Sequence, residues 1–477
     1  MNSDDKAMAD GAARAPGLPA EPVGRSWRGW TELLRDTRGN LAVMVGFCAI
    51  ALVGGVGVAV DTSVAYNVRE QLSAAVDAAA LAGARAFASP NRNADIQNFF
   101  DANFDEGYMG SVVEPLEIAV DNEARTVTVT ARATIPTFFM RVLGPESTDV
   151  AASGQATLSS RDVEVALVLD VTGSMDDDMD DLRDAANELV DIVVQDLQEP
   201  FYSKVALVPY SAAVNVGDYA EAIRGGYSAG TCTTPGCRYF EFENANSKSW
   251  DIKKSTHQIS TCVTERTGAQ AYTDAAPSAA PVGRAYLGSG NGCLSYEILP
   301  LSSNKTELHD RINDLNYGGS TAGQIGVAWG WYMVSPNFGY LWPAESRPKA
   351  YGEIHLGQEV MKVVVIMTDG EFNTIYNSGV IAKNSGTGSG SSSEKINQNA
   401  TNGNAFTQAL TLCTNMKAEG VIVYTIGFAN ASTGSAAEFV EDCATSGEHV
   451  YLPSTGAELK DAFRDIAVQI SNLRISM

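Results

Sequence analysis

Three short stretches of the sequence place oxygen-bearing side chains at the ends of apolar runs. In VALVLDVTGSM the run closes on Asp170, Thr172 and Ser174 follow at alternate positions, and Gly173 between them eases a turn. GGSTAGQIG puts Thr321 just before a helical pattern, and VVIMTDGEF puts Asp369 at the end of a second apolar run. Carboxylates and hydroxyls completed by water would make a hard oxygen site without nitrogen or sulfur. Such a donor set suits a divalent cation, Mg2+ first and Mn2+ or Ca2+ as alternatives, and disfavours zinc and copper. Directly after Ser174, Asp176, Asp177, Asp178, Asp180 and Asp181 crowd the start of the next helical pattern. Carboxylates there favour the positive end of a helix dipole. The alternative is an outer ring of charge that concentrates cations or adds ligands, and such a ring would repel an acidic partner.

For these loops to converge, their strands must lie side by side with carboxyl ends together. The apolar runs VEVALVLD, KVALVPY, KVVVIMTDG and VIVYTIGF alternate with helical patterns near 179–197, 321–334, 404–418 and 455–473. That alternation predicts an α/β fold, a doubly wound and mainly parallel sheet with helices on both faces. In such sheets ligands bind beyond the carboxyl ends of the strands, where the three oxygen-rich loops lie. Two stretches interrupt the pattern. Residues 217–300 carry four cysteines with little periodicity, and 384–404 (NSGTGSGSSSEKINQNATNGN) reads as a flexible polar loop. Upstream, between 112 and 160, segments such as RTVTVTARATI alternate apolar and polar residues, which predicts a small β module.

Residues 41–60, LAVMVGFCAIALVGGVGVAV, are uncharged and long enough to cross a bilayer as a helix. The membrane helix is assigned to 39–61 and a helical extension to 62–111. Residues 1–38 read as a disordered tail. Arg25, Arg28, Arg35 and Arg38 precede the apolar run and Asp61 follows it, so the positive-inside rule places the N-terminus in the cytoplasm and the rest outside. A cleaved signal peptide would have a shorter apolar core and a small-residue cleavage site, which this run lacks. Ala75, Ala79 and Gly83 form a small-residue stripe that would allow close helix packing and hence oligomerisation.

The chain of 477 residues has 45% hydrophobic and 19% charged residues and a net charge of −24, a globular composition with room for more than one core. Lys6, Arg14, Arg25, Arg28, Arg35 and Arg38 balance Asp4, Asp5, Asp10, Glu21, Glu32 and Asp36, so the excess acidity lies beyond the apolar run. An acidic surface repels phosphate backbones, which excludes nucleic acid as a partner class. Cys48 sits in the apolar run, and Cys232, Cys237, Cys262, Cys293, Cys413 and Cys443 all come later. The histidines, at 257, 309, 355 and 449, are scattered and make no zinc spacing with them. Disulfides in an oxidising compartment are therefore expected, with free buried thiols as the alternative. Cys413 and Cys443 fall in helical stretches on either side of VIVYTIGF and are expected to pair. Cys232 with Cys237 and Cys262 with Cys293 is the nearest-neighbour choice among the many connectivities six cysteines allow.

At Asp170, Thr172, Ser174, Thr321 and Asp369 the chain resembles the von Willebrand factor A (VWA) domain and its metal-ion-dependent adhesion site, D-x-S-x-S with a distant Thr and Asp. The departure is Thr172 for the first serine, which keeps a hydroxyl. The resemblance implies a VWA-type domain over 161–477 and a cation with an open position that an acidic side chain of a partner completes. A second resemblance lies in RGNLAVMVGFCAIALVGGVGVAVD and YNVREQLSAAVDAAALAGAR, which look like a TadE/TadG-type pilus-assembly segment; Gly39, Asp61, Asp77 and the alanine run carry it. Pilin-type precursors of such systems carry a glutamate where Met44 stands relative to Gly39, so the resemblance is to an integral assembly component and not to a processed pilin. A Cys413/Cys443-like pair is typical of TadG-like proteins.

Together these features imply a non-enzymatic component of a Flp/Tad-type pilus apparatus. It would sit in a bacterial inner membrane by one helix, with its main domains periplasmic or surface-facing and other pilus-assembly proteins as partners. A stand-alone VWA adhesin or matrix-binding protein is the alternative. A metal-dependent hydrolase is the remote one, because no histidine follows a G-x-S-x-G or H-E-x-x-H pattern and two-metal hydrolysis wants more carboxylates than Asp170 and Asp369 supply.

Overall fold

The computed structural model describes residues 41–474 apart from 88, 90, 123, 124, 158, 159 and 433. The tail expected over 1–38, Gly39 and the arginines that set the expected orientation lie outside the described residues. The described residues fall into two compact units.

The first unit is built from residues through Ala82, Asn93–Ala119 and Thr128–Gln155. Its spine is the helix Leu41–Arg85, which contains no proline and runs unbroken from the apolar stretch into an alanine-rich second half. Side chains from Val43 to Val60 are exposed almost throughout, and this is the one helix among the described residues long and apolar enough to cross a membrane. Past Asp61 the character changes. Val68, Leu72, Ala75, Val76 and Ala79 recur at helical spacing and are fully buried, so this half has one face packed into its own unit. The Ala75 and Ala79 stripe is thus covered within the chain, which corrects its expected availability to a second copy. Its small side chains admit a strand instead: a Cβ on Gly154 would come within 2.9 Å of the Asp77 backbone nitrogen. The strand Thr126–Pro136 pairs with Val112–Val113, Glu117–Asp121 and Ser147–Thr157, and Val127, Val129, Ala131, Ala133 and Ile135 point inward along it. Strict alternation is what a half-buried strand requires.

The second unit holds the α/β fold. Its six-stranded sheet has the order Leu299–Ser302, Ser203–Tyr210, Val163–Asp170, Met361–Thr368, Ile422–Gly427, Val450–Tyr451, and every pair is parallel except the first. Val163–Asp170 is buried along its whole length: Ala166 and Val168 face one core, and Val163, Val165, Leu167 and Leu169 the other. The first face carries helices Gly323–Val334, Ala405–Ala418 and Gly434–Cys443, and the second carries Met179–Val193, Lys305–Asn313 and Gly456–Arg474. Gly330 lets the Gly323–Val334 helix sit low on the sheet, since a Cβ there would stand 2.6 Å from Val168 Cγ2 and 2.8 Å from Val364 Cγ1. This is the doubly wound, mainly parallel α/β architecture expected for the region.

Both interruptions are more ordered than their composition implied. Within 217–300, strands Ser228–Cys232, Cys237–Glu243, Lys254–Thr264 and Gly283–Tyr286 join Val214–Asn215 in a second sheet. Disulfides Cys232–Cys237 and Cys262–Cys293 tie this region, and Cys413–Cys443 joins two helices on one face of the main sheet. The 384–404 stretch, expected as a flexible loop, is pinned by hydrogen bonds, because serines and amides satisfy backbone groups that apolar side chains would leave to water. Ser389 is fully buried, and Ile396 bridges both Asn244 and Ala382.

Candidate metal centre

Strands Val163–Asp170 and Met361–Thr368 are neighbours in parallel register, and the chain leaves them toward opposite sides of the sheet, so a crevice opens at their carboxyl ends. Asp170 and Asp369 sit at its floor, 0% and 4% exposed. The turn after Asp170 folds back on itself: the Thr172 N–H donates to Asp170 Oδ1 at 3.1 Å, and the Thr172 and Ser174 hydroxyls lie 3.1 Å apart. Thr172 is buried while Ser174 reaches the surface. Asp170 Oδ2 accepts from Tyr210 OH at 2.8 Å and from Thr368 Oγ1 at 3.0 Å. Tyr210 can do this because it stands directly opposite Asp170 in the adjacent strand.

The third loop is stitched to the other two through its backbone. Gly173 N–H donates to Gly319 O at 3.0 Å, and the N–H groups of Asn373 and Thr374 donate to Thr321 O at 2.9 and 3.0 Å. The Thr321 N–H in turn donates to Asn373 Oδ1 at 3.0 Å. Asp170, Thr172, Ser174 and Asp369 are therefore brought together at side-chain level, and Thr321 stands on a loop bonded to both of their turns. Asn373 itself is held by the 384–404 stretch: Ser389 Oγ donates to its carbonyl at 2.5 Å, and Ser320 Oγ, beside Thr321, donates to Gly388 O at 2.7 Å.

Burial is the main electrostatic fact here. It pushes the Asp170 carboxyl above its ordinary range, against the pull of hydrogen bonds from Thr172, Tyr210 and Thr368. Asp369 is pushed up to about 7, first by burial and then by the charge of Asp170, with a Ser174 hydrogen bond opposing. The two carboxylates are near enough for the charge of Asp170 to bear on Asp369, and Asp369 Oδ1 is buried without a hydrogen-bond partner. An unpartnered buried oxygen beside a second buried carboxylate is costly unless positive charge completes it. The donor set fits a hard divalent cation on that ground. Among the described residues no group of three or more His, Cys, Asp or Glu side chains is placed to hold a metal.

Tyr210, Thr368 and Asn373 were not among the residues singled out from sequence. Thr368 adjoins Asp369 in the TDG motif, and Tyr210 closes the KVALVPY run, so both carried a positional signal; Asn373 carried none. The acidic run divides in two. Asp180 and Asp181 occupy the first turn of the Met179–Val193 helix, and Asp180 pairs with Arg183. Asp178 at its start is raised by partial burial and then by repulsion from Asp181, Asp177 and Asp176, and its side chain does not cap the helix.

Among solved structures, the pilus adhesin SpaC from Lactobacillus rhamnosus GG is similar at 13% identity over 76% of this chain and 34% of its own, with a TM-score of 0.33. This chain thus spans about a third of that adhesin. The vWF domain of the type V pili tip protein Mfa5 from Porphyromonas gingivalis is 14% identical over 67% of this chain and 97% of its own, with a TM-score of 0.35. The pilus adhesin RrgA from Streptococcus pneumoniae is 12% identical over 76% and 48%, with a TM-score of 0.32. No curated protein matches the chain in sequence. Residues 39–86, the stretch that carries the apolar helix, match the model of the Tad family, described as Flp pilus-assembly TadE/G-like.

Proposed function

We propose that this protein is a membrane-anchored component of a Flp/Tad-type pilus assembly apparatus whose α/β domain makes metal-dependent contacts with protein partners. The family match over 39–86 supports the pilus assignment and falls on the helix suited to crossing a membrane. The observation that carries the contact mechanism is the pair of neighbouring, buried carboxylates with the unpartnered Asp369 Oδ1. Asp170, Thr172, Ser174 and Asp369 would hold the cation, with Thr321 from the adjoining loop. When bound, it supplies positive charge and a coordination position that an acidic side chain of a partner completes. The chain's own residues do the positioning: Tyr210 and Thr368 fix the Asp170 rotamer, and Asn373 ties the Thr321 loop to the Asp369 turn. We read the site as a contact surface and not a catalytic centre. The expected setting is a bacterial inner membrane, N-terminus inside.

The test is a pull-down of the tagged full-length protein from native membranes, with and without chelator, alongside an Asp170→Ala, Asp369→Ala variant. Pilus-assembly proteins are expected to co-purify, and at least one should be lost on chelation and in the variant. Identical partners in every arm would refute metal-dependent contact, and an extracellular ligand in place of pilus components would assign the protein as a stand-alone adhesin.

A further inference from the structure

The first unit carries a feature that the anchor and the metal site leave unused. Asp61, the first charged residue after the apolar run, is 7% exposed, and its carboxylate accepts three consecutive backbone N–H groups, from Phe138 at 3.1 Å, Phe139 at 2.9 Å and Met140 at 2.7 Å. These donors open the loop that links the Thr126–Pro136 and Ser147–Thr157 strands. A charge-assisted cluster of this kind fixes the loop firmly to the helix at that level.

The loop does not stop at Asp61. Gly57, one turn back into the apolar run, is buried beneath Phe139, and a Cβ at Gly57 would stand 2.5 Å from Phe139 Cβ. Four residues of helix advance the axis by about 6 Å, so Phe139 lies on the apolar side of the charged boundary. Around it the loop exposes what a water-facing turn would hide: Phe138 is 69% exposed, Phe139 48% and Val142 88%. Arg141 between them is exposed as well, its nearest carboxylate being Glu146 at 3.9 Å.

We propose that residues 138–142 form a second membrane contact, inserting Phe138, Phe139 and Val142 into the headgroup and acyl boundary of the bilayer that the Leu41–Arg85 helix crosses. This rests on the reading of that helix as a membrane anchor. The occupant follows from continuity, because the exposed apolar side chains adjoin the exposed apolar face of the helix at the depth where aromatic residues settle in membranes. Arg141 carries its charge on a long stem that can reach lipid phosphates while its neighbours stay in the apolar layer. Two attachments fixed to each other at Asp61 would hold the helix tilt and rotation, which a single span leaves free.

The test uses the full-length chain with Cys48→Ala, reconstituted in nanodiscs of zwitterionic and anionic phospholipid. An environment-sensitive fluorophore is attached in turn at Phe138→Cys, Val142→Cys, Ile50→Cys and Ala151→Cys. Nitroxide lipids labelled near the headgroup or near the chain end report depth. Labels at 138 and 142 should lose roughly half or more of their emission to the shallow nitroxide and less to the deep one, the interfacial pattern. The label at 50 should respond most to the deep nitroxide, and the label at 151, on an exposed strand position, only to aqueous iodide. If 138 and 142 both behave like 151 while 50 is quenched, the anchor stands and the second contact is wrong. If 50 is also unquenched, the anchor reading fails and takes this proposal with it.

Discussion

Glu265 gives the sharpest quantitative test of the packing in the α/β domain. It is 8% exposed, accepts from Gln324 Nε2 at 2.8 Å and from the Tyr376 N–H at 3.0 Å, and forms no ion pair among the described residues. Burial raises its carboxyl from an ordinary 4.5 to about 7, and the hydrogen bonds from Gln324, Tyr376 and Gln408 recover only part of that. Because the folded state holds this proton more tightly than the unfolded state, the group favours folding fully below pH 4.5 and loses that contribution as pH rises through about 7. A shift of this size corresponds to about 3 kcal/mol, fully lost by roughly pH 8. Glu265→Gln keeps the shape and cannot ionise. Relative to wild type it is expected to gain stability steadily across that window, by up to about 3 kcal/mol at the alkaline end. Denaturant unfolding of the full-length protein in detergent, followed by tryptophan emission, is the assay; Trp329 is fully buried and lines the same small cavity as Glu265. Parallel pH profiles for the two proteins would refute the argument that Glu265 is buried with its charge uncompensated.

Three further outcomes are expected. Mg2+ should stabilise the wild-type domain against heat, by about 2.7 kcal/mol at a hundredfold excess over its dissociation constant, and Asp369→Ala should abolish the effect; differential scanning calorimetry with and without chelator decides this. Tyr210→Phe removes the hydroxyl that donates to buried Asp170 Oδ2 at 2.8 Å, so it should cost about 1–3 kcal/mol in denaturant unfolding and weaken Mg2+ in titration calorimetry. Gly330→Ala drives a methyl into Val168 and Val364 and should cost about 1–3 kcal/mol without changing Mg2+ affinity, since the clash lies in the core beneath the helix and touches none of the site's donors.

Much of this architecture is written locally in the chain. Residues 163–170 and 361–368 announce themselves as central strands because both of their faces are buried, which demands near-continuous apolar runs; the charged residues near their starts, Glu164 and Lys362, are buried as an ion pair with each other. Asp170, Thr172 and Ser174 are visible because turn and donors share a few residues. What was hidden depends on pairing at a distance. The role of Tyr210 follows from its register against Asp170, and the role of Asn373 from a loop that meets Thr321 only after folding. The antiparallel edge strand Leu299–Ser302 is four residues long and contains Pro300, too short for a period to show. Within 217–300 the alternation CRYFEFE carries a strand signal, with Phe240 and Phe242 buried, but it is a single short run among turn-rich segments.

The 384–404 stretch has a consequence of its own. Gly386, Gly388 and Ser389 reach Asn373 and Ser320 through backbone and hydroxyl contacts, so they act on the Thr321 and Asp369 turns without offering a ligand. A segment that resembles a spacer works here as a clamp, and its length sets how tightly two of the three loops are drawn together. On the proposed reading of the site, insertions or deletions within it are expected to change affinity for a divalent cation while Asp170, Thr172, Ser174 and Asp369 stay in place. Peptide tags and protease sites belong elsewhere in this protein.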